Sequence, residues 1–250
     1  MTNRFFLDRS VSQWELESGK ALLAGDEAHH FCKVMRGKVG DSLILFDGTG
    51  PYSLGIAESI LKEGVQVAIT HTLVDDVESP LRLTVAAALP KGDRQRFLIE
   101  KLAELGVARF MPVQMERSVA RASESAIQRL RRYVIEAAKQ CGRNVLMEIT
   151  NEVPMNKLND QWTPEAAKFL LHPIALGSVG QITPRQILSG TPHVLPEKIV
   201  ILAGPEGSFT DQEVEWALQA GFSPLDLGKR ILRTETACIA AAALFLTFSE

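Results

Sequence analysis

After residue 80 the chain alternates short apolar runs with amphipathic stretches, and this alternation limits the fold more than any other feature. The apolar runs have the length and β-branched content of strands buried on both faces: LRLTVAAALP, ARFMPVQ, KFLLHP and KIVILAGP. The stretches DRQRFLIEKLAELG and SESAIQRLRRYVIEAAKQCG have helical spacing and end in glycine. Strands that alternate with helices predict an α/β domain with a mostly parallel sheet covered on both faces.

The N-terminal part of the chain has a different pattern. Short strand candidates, joined by glycine turns, are RFFLD, SLILFDG, SLGIAESI and VQVAITHTLV. DEAHHFCKVMR is the one helical piece, with Asp26 as its expected N-cap. The polar stretch TLVDDVESP then marks a boundary. We therefore predict a small β-rich domain over residues 1–74 and a larger α/β domain over residues 78–250.

The formal net charge of −3 is unevenly distributed along the chain. Residues 82–143 carry 13 Lys and Arg against 6 Asp and Glu, and ten of the thirteen cations are arginine. Arginine favours phosphate contact, so this segment is a candidate surface for a polyanion. Solvated helix faces with paired charges would give the same pattern.

Cysteine, histidine and apolar patterning indicate a cytoplasmic protein without a metal or a membrane anchor. The three cysteines are widely spaced and include no CxxC pair, which suits a reducing compartment. The N-terminus does not resemble a signal peptide, and the longest apolar run, ACIAAAALFLTF, is too short to cross a bilayer. The histidines show no zinc-ligand spacing, so we expect no metal.

The segment ILAGPEGSFT, residues 201–210, predicts a strand, a glycine loop and the start of a helix capped by Ser208 or Thr210. The loop has no P-loop lysine and no GxGxxG pattern. Pro205 removes one backbone N–H, and Glu206 adds negative charge where a phosphate would bind. A neutral or cationic ligand fits better, although a turn that only joins the strand to the helix has the same spacing.

Three predicted strands end in distinctive turns: His172–Pro173, the glycine loop, and LGKRILR before the last helix. If their carboxyl ends meet, they enclose one pocket with backbone polar groups and apolar side chains. Such a pocket can recognise a flat heterocycle through main-chain hydrogen bonds and apolar contact. The apolar candidates are Leu171, Leu227, Ile231 and Leu232.

These turns carry a resemblance to a known family. GPEGS, followed about twenty residues later by LGKRILRTETA, resembles the signature of the SPOUT superfamily of S-adenosylmethionine-dependent RNA methyltransferases. Other stretches are similar to the RsmE family, which methylates N3 of a uridine in 16S ribosomal RNA: HHFCKVMRGKVGD, LFDGTG, LPKGDRQRFLIEKLAELGV and EAAKQCGR. The resemblance runs nearly end to end.

The resemblance implies a fold, a partner and a reaction. The larger domain would be a SPOUT domain with a deep trefoil knot, and the smaller one a PUA-like β-barrel that helps hold RNA. The protein would be a homodimer with its cofactor pocket near the subunit interface. The implied substrate is 16S rRNA within the small ribosomal subunit, and the implied target is uridine 1498.

The family's functional residues carry over to matching positions. S-adenosylmethionine would be bound by Leu171, His172, Pro173, Leu202, Gly204, Pro205, Glu206, Gly207, Leu227, Gly228, Ile231 and Leu232. Arg233 is the candidate catalytic cation, which would lower the pKa of the uracil imide, and Glu235 would orient it or cap the last helix. The RNA-binding candidates, each of which could equally be a solvated surface charge, are Arg4, Lys33, Arg36, Lys38, Lys91, Arg94, Arg117, Arg121 and Arg143.

One departure and three alternatives stay open at this point. The family usually has glycine where this chain has Ser208, and a left-handed backbone there would cost about 1 kcal/mol. A nucleotide-using enzyme on a Rossmann-like sheet is one alternative. The others are a non-catalytic RNA-binding or ribosome-assembly protein and a methyltransferase with a different RNA target.

Overall fold

The computed structural model describes residues 3–8, 13–15, 19–74, 77–172 and 197–247. Contacts between Cα atoms divide the chain into two compact units. The first comprises Met1–Glu78 with Ile135–Leu146, and the second comprises Ser79–Val134 with Met147–Glu250. The second unit therefore contains every strand of the predicted parallel sheet.

The first unit is built on a six-stranded sheet in the order β1-β4-β5-β6-β3-β2. Its strands are β1 Arg4–Phe6, β2 Gln13–Glu15, β3 Lys20–Ala24, β4 Ser42–Phe46, β5 Tyr52–Ile60 and β6 Gly64–Leu73. Only β1 and β4 pair in parallel; the other neighbours are antiparallel. The sequence predicted β1, β4, β5 and β6 and missed the short strands β2 and β3.

One helix packs with this sheet. Helix α1, Gly25–His29, continues into a π-helical turn over His30–Val34. Alternate residues of the strands are buried with Phe31 in a single apolar core, as the period of two in a half-buried strand requires. The expected N-cap at Asp26 is wrong: Ala24 occupies that position, and Asp26 lies in the first turn, where its charge suits the helix dipole.

The second unit contains a parallel sheet in the order β10-β8-β7-β12-β11-β13, with β9 also paired to β8. Its strands are β7 Arg82–Ala87, β8 Arg109–Gln114, β9 Glu148–Ile149, β10 Val153–Pro154, β11 Ala167–Leu171, β12 Lys198–Ala203 and β13 Ser223–Pro224. Every described pairing in this sheet is parallel, which confirms the mostly parallel α/β fold. The strands predicted in LMEITNEV and SPLDLG are shorter than expected, and β10 and β13 both end at a proline, which cannot donate to a ladder.

The helices that follow residue 80 begin and end where the sequence indicates. They are α2 Arg94–Glu104, α3 Glu124–Cys141, α4 Asp211–Gln219 and α5 Thr234–Thr247, with a 3₁₀ helix over Met155–Gln161. Ser123 caps α3 by accepting a hydrogen bond from the Ala126 N–H. Thr210 caps α4 in a capping box with Glu213, so the second of the two predicted caps is the one used.

The core of the parallel sheet is apolar, and its strands share one direction. Val200 and Leu202 are buried on one side of β12 with Leu170 and Met111. No helix in the described part of the chain is both long and apolar enough to cross a membrane. Residues 173–196, between β11 and β12, lie outside the described residues, and the knot stays a prediction.

Candidate functional site

The carboxyl ends of β11, β12 and β13 border a cavity of about 640 Å³. The strands are parallel neighbours, so the loops that follow them leave the sheet at the same edge. The three predicted turns therefore meet. The lining residues are Leu171 and His172 after β11, Ala203 to Glu206, Ser208 and Phe209 after β12, Ile231 to Thr234 and Ala237 at the start of α5, and Arg94 on α2.

A smaller cavity of about 80 Å³ adjoins the first, with Leu171, His172, Ile231 and Leu232 lining both. The turn after β13 forms its other wall through Leu225 to Gly228 and Arg230. Gly228 has a φ of 104°, which other residues rarely adopt, and its N–H donates to the Asp226 Oδ1 over 2.7 Å. Asp226 and Gly228 therefore determine the conformation of this turn.

The glycine loop is fixed by contacts from neighbouring elements. A Cβ at Gly204 would lie 2.8 Å from the Phe209 ring, so any larger residue would have to displace that buried ring. The Thr234 hydroxyl donates to the Gly204 carbonyl over 2.9 Å and joins α5 to the end of β12. Arg117 Nη1 donates to the carbonyls of Gly207 and Phe209 over 3.0 and 3.3 Å. The loop is consequently a rigid wall of the cavity.

One arginine at the cavity interacts with two carboxylates. Arg94 Nη2 lies 2.7 Å from Glu206 Oε1, and the Lys91 N–H donates to the same oxygen over 3.4 Å. Arg94 Nη1 is also 4.0 Å from Oε1 of Glu235, whose side chain is only 6% exposed. Arg94 lines the cavity and holds Glu206 in position, and its role as an RNA phosphate contact stays a prediction.

Arg233 and Glu235 lie at the start of α5 in different surroundings. Arg233 is exposed and lines the cavity, and its carbonyl accepts the helical hydrogen bond from the Ala237 N–H over 2.9 Å. Glu235 is buried in the first turn, where a carboxylate suits the helix dipole. Among the described ion pairs, Glu235 lies beside Arg94 and not beside Arg233. The structure therefore does not support the prediction that Glu235 orients Arg233.

Burial holds two groups uncharged: His172, which lines the cavity, and Cys238, which follows the lining residue Ala237 in α5. Burial lowers the pKa of His172, against a smaller opposing effect of Asp211, and favours the neutral imidazole. Its ring meets Phe209 edge to face at 5.7 Å, and its buried Nδ1 has no hydrogen-bond partner in the described structure. Burial and nearby Glu235 raise the pKa of Cys238 to about 12, so that thiol is not a nucleophile at neutral pH.

The structure places two predicted cofactor residues, Leu202 and Gly207, away from the cavity wall. Leu202 lies in the core, because alternate side chains of a strand face opposite sides of the sheet; Ala203 lines the cavity instead. Gly207 faces Arg117, and Pro173 lies outside the described residues. The sequence interpretation missed Ala203, Ser208, Phe209, Thr234 and Ala237, although the period of two in β12 and the helical spacing after Arg233 could have indicated some of them.

Two of the RNA-binding candidates are buried. Arg4 Nη2 donates to Asn144 Oδ1 over 2.6 Å, and its guanidinium lies over the Phe46 ring. Arg143 pairs with Glu78 over 2.6 Å. Their prediction as surface phosphate contacts is corrected, because burial and hydrogen bonding commit both side chains to the interior of the first unit.

Apart from Arg94, which is half-buried, the other RNA-binding candidates are exposed. Arg121 pairs with Glu152 over 2.8 Å, and Arg117 holds the glycine loop as described above. Lys33, Arg36, Lys38 and Lys91 are also exposed. Within the described residues, no group of three histidine, cysteine or acidic side chains could hold a metal ion.

Comparison with known proteins gives matches along most of the chain. The family described as "RNA methyltransferase domain" matches residues 77–246, and "RNA methyltransferase PUA domain" matches residues 23–51. Ribosomal RNA small subunit methyltransferase E of Synechocystis sp. is 32% identical over 235 residues, which cover 93% of this chain and 75% of that protein.

Two solved structures have the same fold over nearly the whole chain. Ribosomal RNA small subunit methyltransferase E from Neisseria gonorrhoeae, bound to S-adenosylmethionine, has a TM-score of 0.83 and 32% identity, covering 99% of this chain and 98% of that one. A methyltransferase from Legionella pneumophila with the same bound cofactor has a TM-score of 0.83 and 30% identity, with the same coverage.

Ser208 gives a first testable prediction. It has a φ of 61°, a left-handed conformation that costs a non-glycine residue about 1–2 kcal/mol. After the entropy cost of glycine is subtracted, Ser208→Gly should raise the free energy of unfolding by roughly 0.5–1 kcal/mol. Urea denaturation measures this change. Ser208→Ala keeps the strain and is the control; equal stability of the glycine and alanine variants would contradict the prediction.

Proposed function

This chain belongs to the ribosomal RNA small subunit methyltransferase E family, and we propose that it methylates N3 of a uridine in the 16S rRNA of the small ribosomal subunit. S-adenosylmethionine is its methyl donor. The observation that carries the proposal is the cavity at the carboxyl ends of β11, β12 and β13, bordered by the GPEGS loop and the RILRTETA segment. Two relatives that match 99% of this chain bind this donor.

The residues at the cavity fit that donor. A cavity of about 640 Å³ lies within the range of about 300–1,000 Å³ typical of small-molecule sites. Glu206 offers a carboxylate to a ligand with a sulfonium and an ammonium group, and Arg94 offers a cation to its carboxylate. Leu171, Ile231 and Leu232 provide apolar contact for the faces of an adenine. The ligand has no phosphate, which agrees with the absence of a P-loop lysine.

Arg233 is the catalytic cation in this proposal. S-adenosylmethionine supplies a methyl group already activated by its sulfonium. Arg233 interacts with the uracil carbonyl oxygens, lowers the pKa of the N3–H and stabilises the negative charge that its ionisation leaves. The proton passes to water, which reaches the exposed Arg233 side chain. Alignment of N3 with the methyl carbon supplies a further part of the rate.

The target uridine is unpaired when it reacts, because N3 lies on the Watson–Crick edge. We assign RNA binding to residues 1–74 as a PUA-like domain, with Lys33, Arg36 and Lys38 among its contacts, and methyl transfer to residues 78–250. Exposed Lys91 adds positive charge to the larger domain. The slope of RNA affinity against salt concentration measures this electrostatic contribution. An enzyme with this substrate acts in the cytoplasm, where ribosomes are assembled.

Two copies of the chain form a homodimer in this proposal, with the contact near the cofactor cavity. Helix α5 is apolar on nearly every face, yet Ala240 is exposed and Ile239 only half-buried. Helix α2 packs against α5 and exposes half of the Phe97 side chain, and Ile231 at the cavity is 90% exposed. A second copy would cover these groups. Sedimentation equilibrium at micromolar concentration should give the mass of two chains; the mass of one chain would contradict the homodimer.

Mass spectrometry of 16S rRNA tests the proposed target. Cells that lack this protein should lose one N3-methyluridine from 16S rRNA, and the wild-type protein with S-adenosylmethionine should restore it on their purified small subunits. The corresponding nucleosides of 23S rRNA serve as the internal control. An unchanged N3-methyluridine signal in the cells without the protein would reject the assignment.

Arg233→Ala tests the catalytic role. Because Arg233 acts on charge that develops on the base, the variant should lose roughly 100-fold in kcat and keep its affinity for S-adenosylmethionine. Single-turnover methylation of small subunits measures the first quantity, and calorimetry measures the second. Arg132→Ala, which removes an exposed arginine from α3 away from the cavity, is the matched control. Full activity of Arg233→Ala would show that this role is wrong.

A further inference from the structure

A second concave site lies at the carboxyl ends of two other strands of the parallel sheet. It is a groove of about 500 Å³ between the ends of β8 and β10 and the first two turns of α4. Gln114 and Pro154 are register partners, so both strands end at the same level. Met115, Met155 and Trp216 supply apolar surface, and the carboxamides come from Gln114, Asn156 and Gln212.

The groove and the cofactor cavity share one wall. Strands β8 and β10 run parallel to β12 and β11, so both sites lie at the carboxyl edge of the same sheet. The glycine loop borders the cavity through Glu206, Ser208 and Phe209, and its last residue, Thr210, borders the groove. A chain that places one residue in the cavity can therefore place a neighbouring one in the groove.

Hydrogen bonds make the groove rigid. Glu213 accepts from the Glu116 N–H through Oε1 and from the Thr210 N–H through Oε2, both over 2.9 Å. These bonds join the end of β8 to the start of α4. The Ser118 hydroxyl accepts from the Met115 N–H over 2.9 Å and holds the turn after β8. The site is therefore largely preformed, which lowers the entropy cost of binding.

The polar groups of the groove are suited to the edge of a nucleobase. Gln114 Oε1 accepts from Arg121 Nη2 over 3.0 Å, and Arg121 is held in turn by Glu152. That network orients the Gln114 carboxamide and leaves its N–H donors without a described partner. Asn156 and Gln212 are exposed, and their side chains have no hydrogen-bond partner among the described residues. Each carboxamide combines donors and an acceptor, as the edges of bases do.

Trp216 supplies an aromatic side chain at the groove against which a base can stack. It packs on the core beside Phe222, with 6.5 Å between ring centroids, and stays half-buried at the groove. Stacking on aromatic side chains contributes much of the affinity with which proteins bind single-stranded nucleic acids, and every base has a face that can stack. The carboxylates of Glu116 and Glu213 disfavour a phosphate inside the groove. A flat, neutral ring with a hydrogen-bonding edge is thus the ligand class that fits.

We infer that this groove binds an unpaired base that flanks the target uridine in the substrate RNA, stacked against Trp216 and recognised by Gln114, Asn156 and Gln212. The inference rests on the proposed function. Binding the flanking base there would fix the RNA strand across the glycine loop, so that the target base reaches the cofactor cavity. The groove would thus determine RNA affinity and sequence preference and leave the chemistry of methyl transfer unchanged.

Steady-state methylation of small subunits that lack the modification tests the inference. The double variant Asn156→Ala, Gln212→Ala removes two exposed carboxamides and should raise the KM for small subunits roughly thirtyfold, about fivefold for each lost hydrogen bond. Its kcat, its KM for S-adenosylmethionine and its melting temperature should stay unchanged. Gln219→Ala, an exposed glutamine at the far end of α4, is the matched control and should keep the wild-type KM.

Tryptophan fluorescence provides a second readout. Trp216 is one of three tryptophans, and an RNA oligonucleotide with the target sequence should quench the cofactor-loaded wild-type protein but not Trp216→Phe. Uridine or adenosine monophosphate at the same concentration should quench far less. An unchanged KM in the double variant, equal quenching of Trp216→Phe, or equally tight binding of the free nucleotides would overturn the inference. Absence of any wild-type methylation would instead reject the proposed function itself.

Discussion

The parallel pairing of β7, β12, β11 and β13 is the constraint on which the rest of the structure depends. Because these strands share one direction, the segments that follow them all leave the sheet at a single edge. Residues far apart in the sequence therefore meet there, and two side-chain contacts hold them: Thr234 to the Gly204 carbonyl, and Arg94 to Glu206. An antiparallel partner at any of these positions would send its loop to the opposite edge and open the cavity.

The charges at this edge explain which ligand the cavity accepts. Arg94 interacts with both Glu206 and the buried Glu235, so one cation serves two carboxylates. Such an arrangement favours a ligand that brings positive charge and disfavours a polyphosphate. The fold alone would not make this distinction, since sheets of this kind also bind nucleotides. The carboxylate of Glu206 in the GPEGS loop and the absence of a P-loop lysine distinguish a site for S-adenosylmethionine from a nucleotide site.

Local sequence patterns correctly predicted the features of secondary structure that depend only on residues close together in the chain. The alternating strands and helices, the glycine ends of the helices and the Thr210 cap all follow from spacings of a few residues. The predictions failed where distant partners decide. The sequence pattern predicted Arg4 and Arg143 as surface cations. In the structure both are buried, and each contacts a residue far from it in the sequence: Arg4 contacts Asn144, and Arg143 contacts Glu78. Leu202 and Ala203 are both apolar, and only the orientation of β12 decides which one faces the cavity. The groove beside α4 combines three separate segments, and no sequence motif connects them.

Calorimetric titration of the purified protein with S-adenosylmethionine tests most directly whether the converging strand ends form a methyl-donor site. We expect saturable binding of one donor per chain, and no heat when ATP or NAD is titrated under the same conditions. Binding of either nucleotide without any heat from S-adenosylmethionine would contradict the assignment of the cavity.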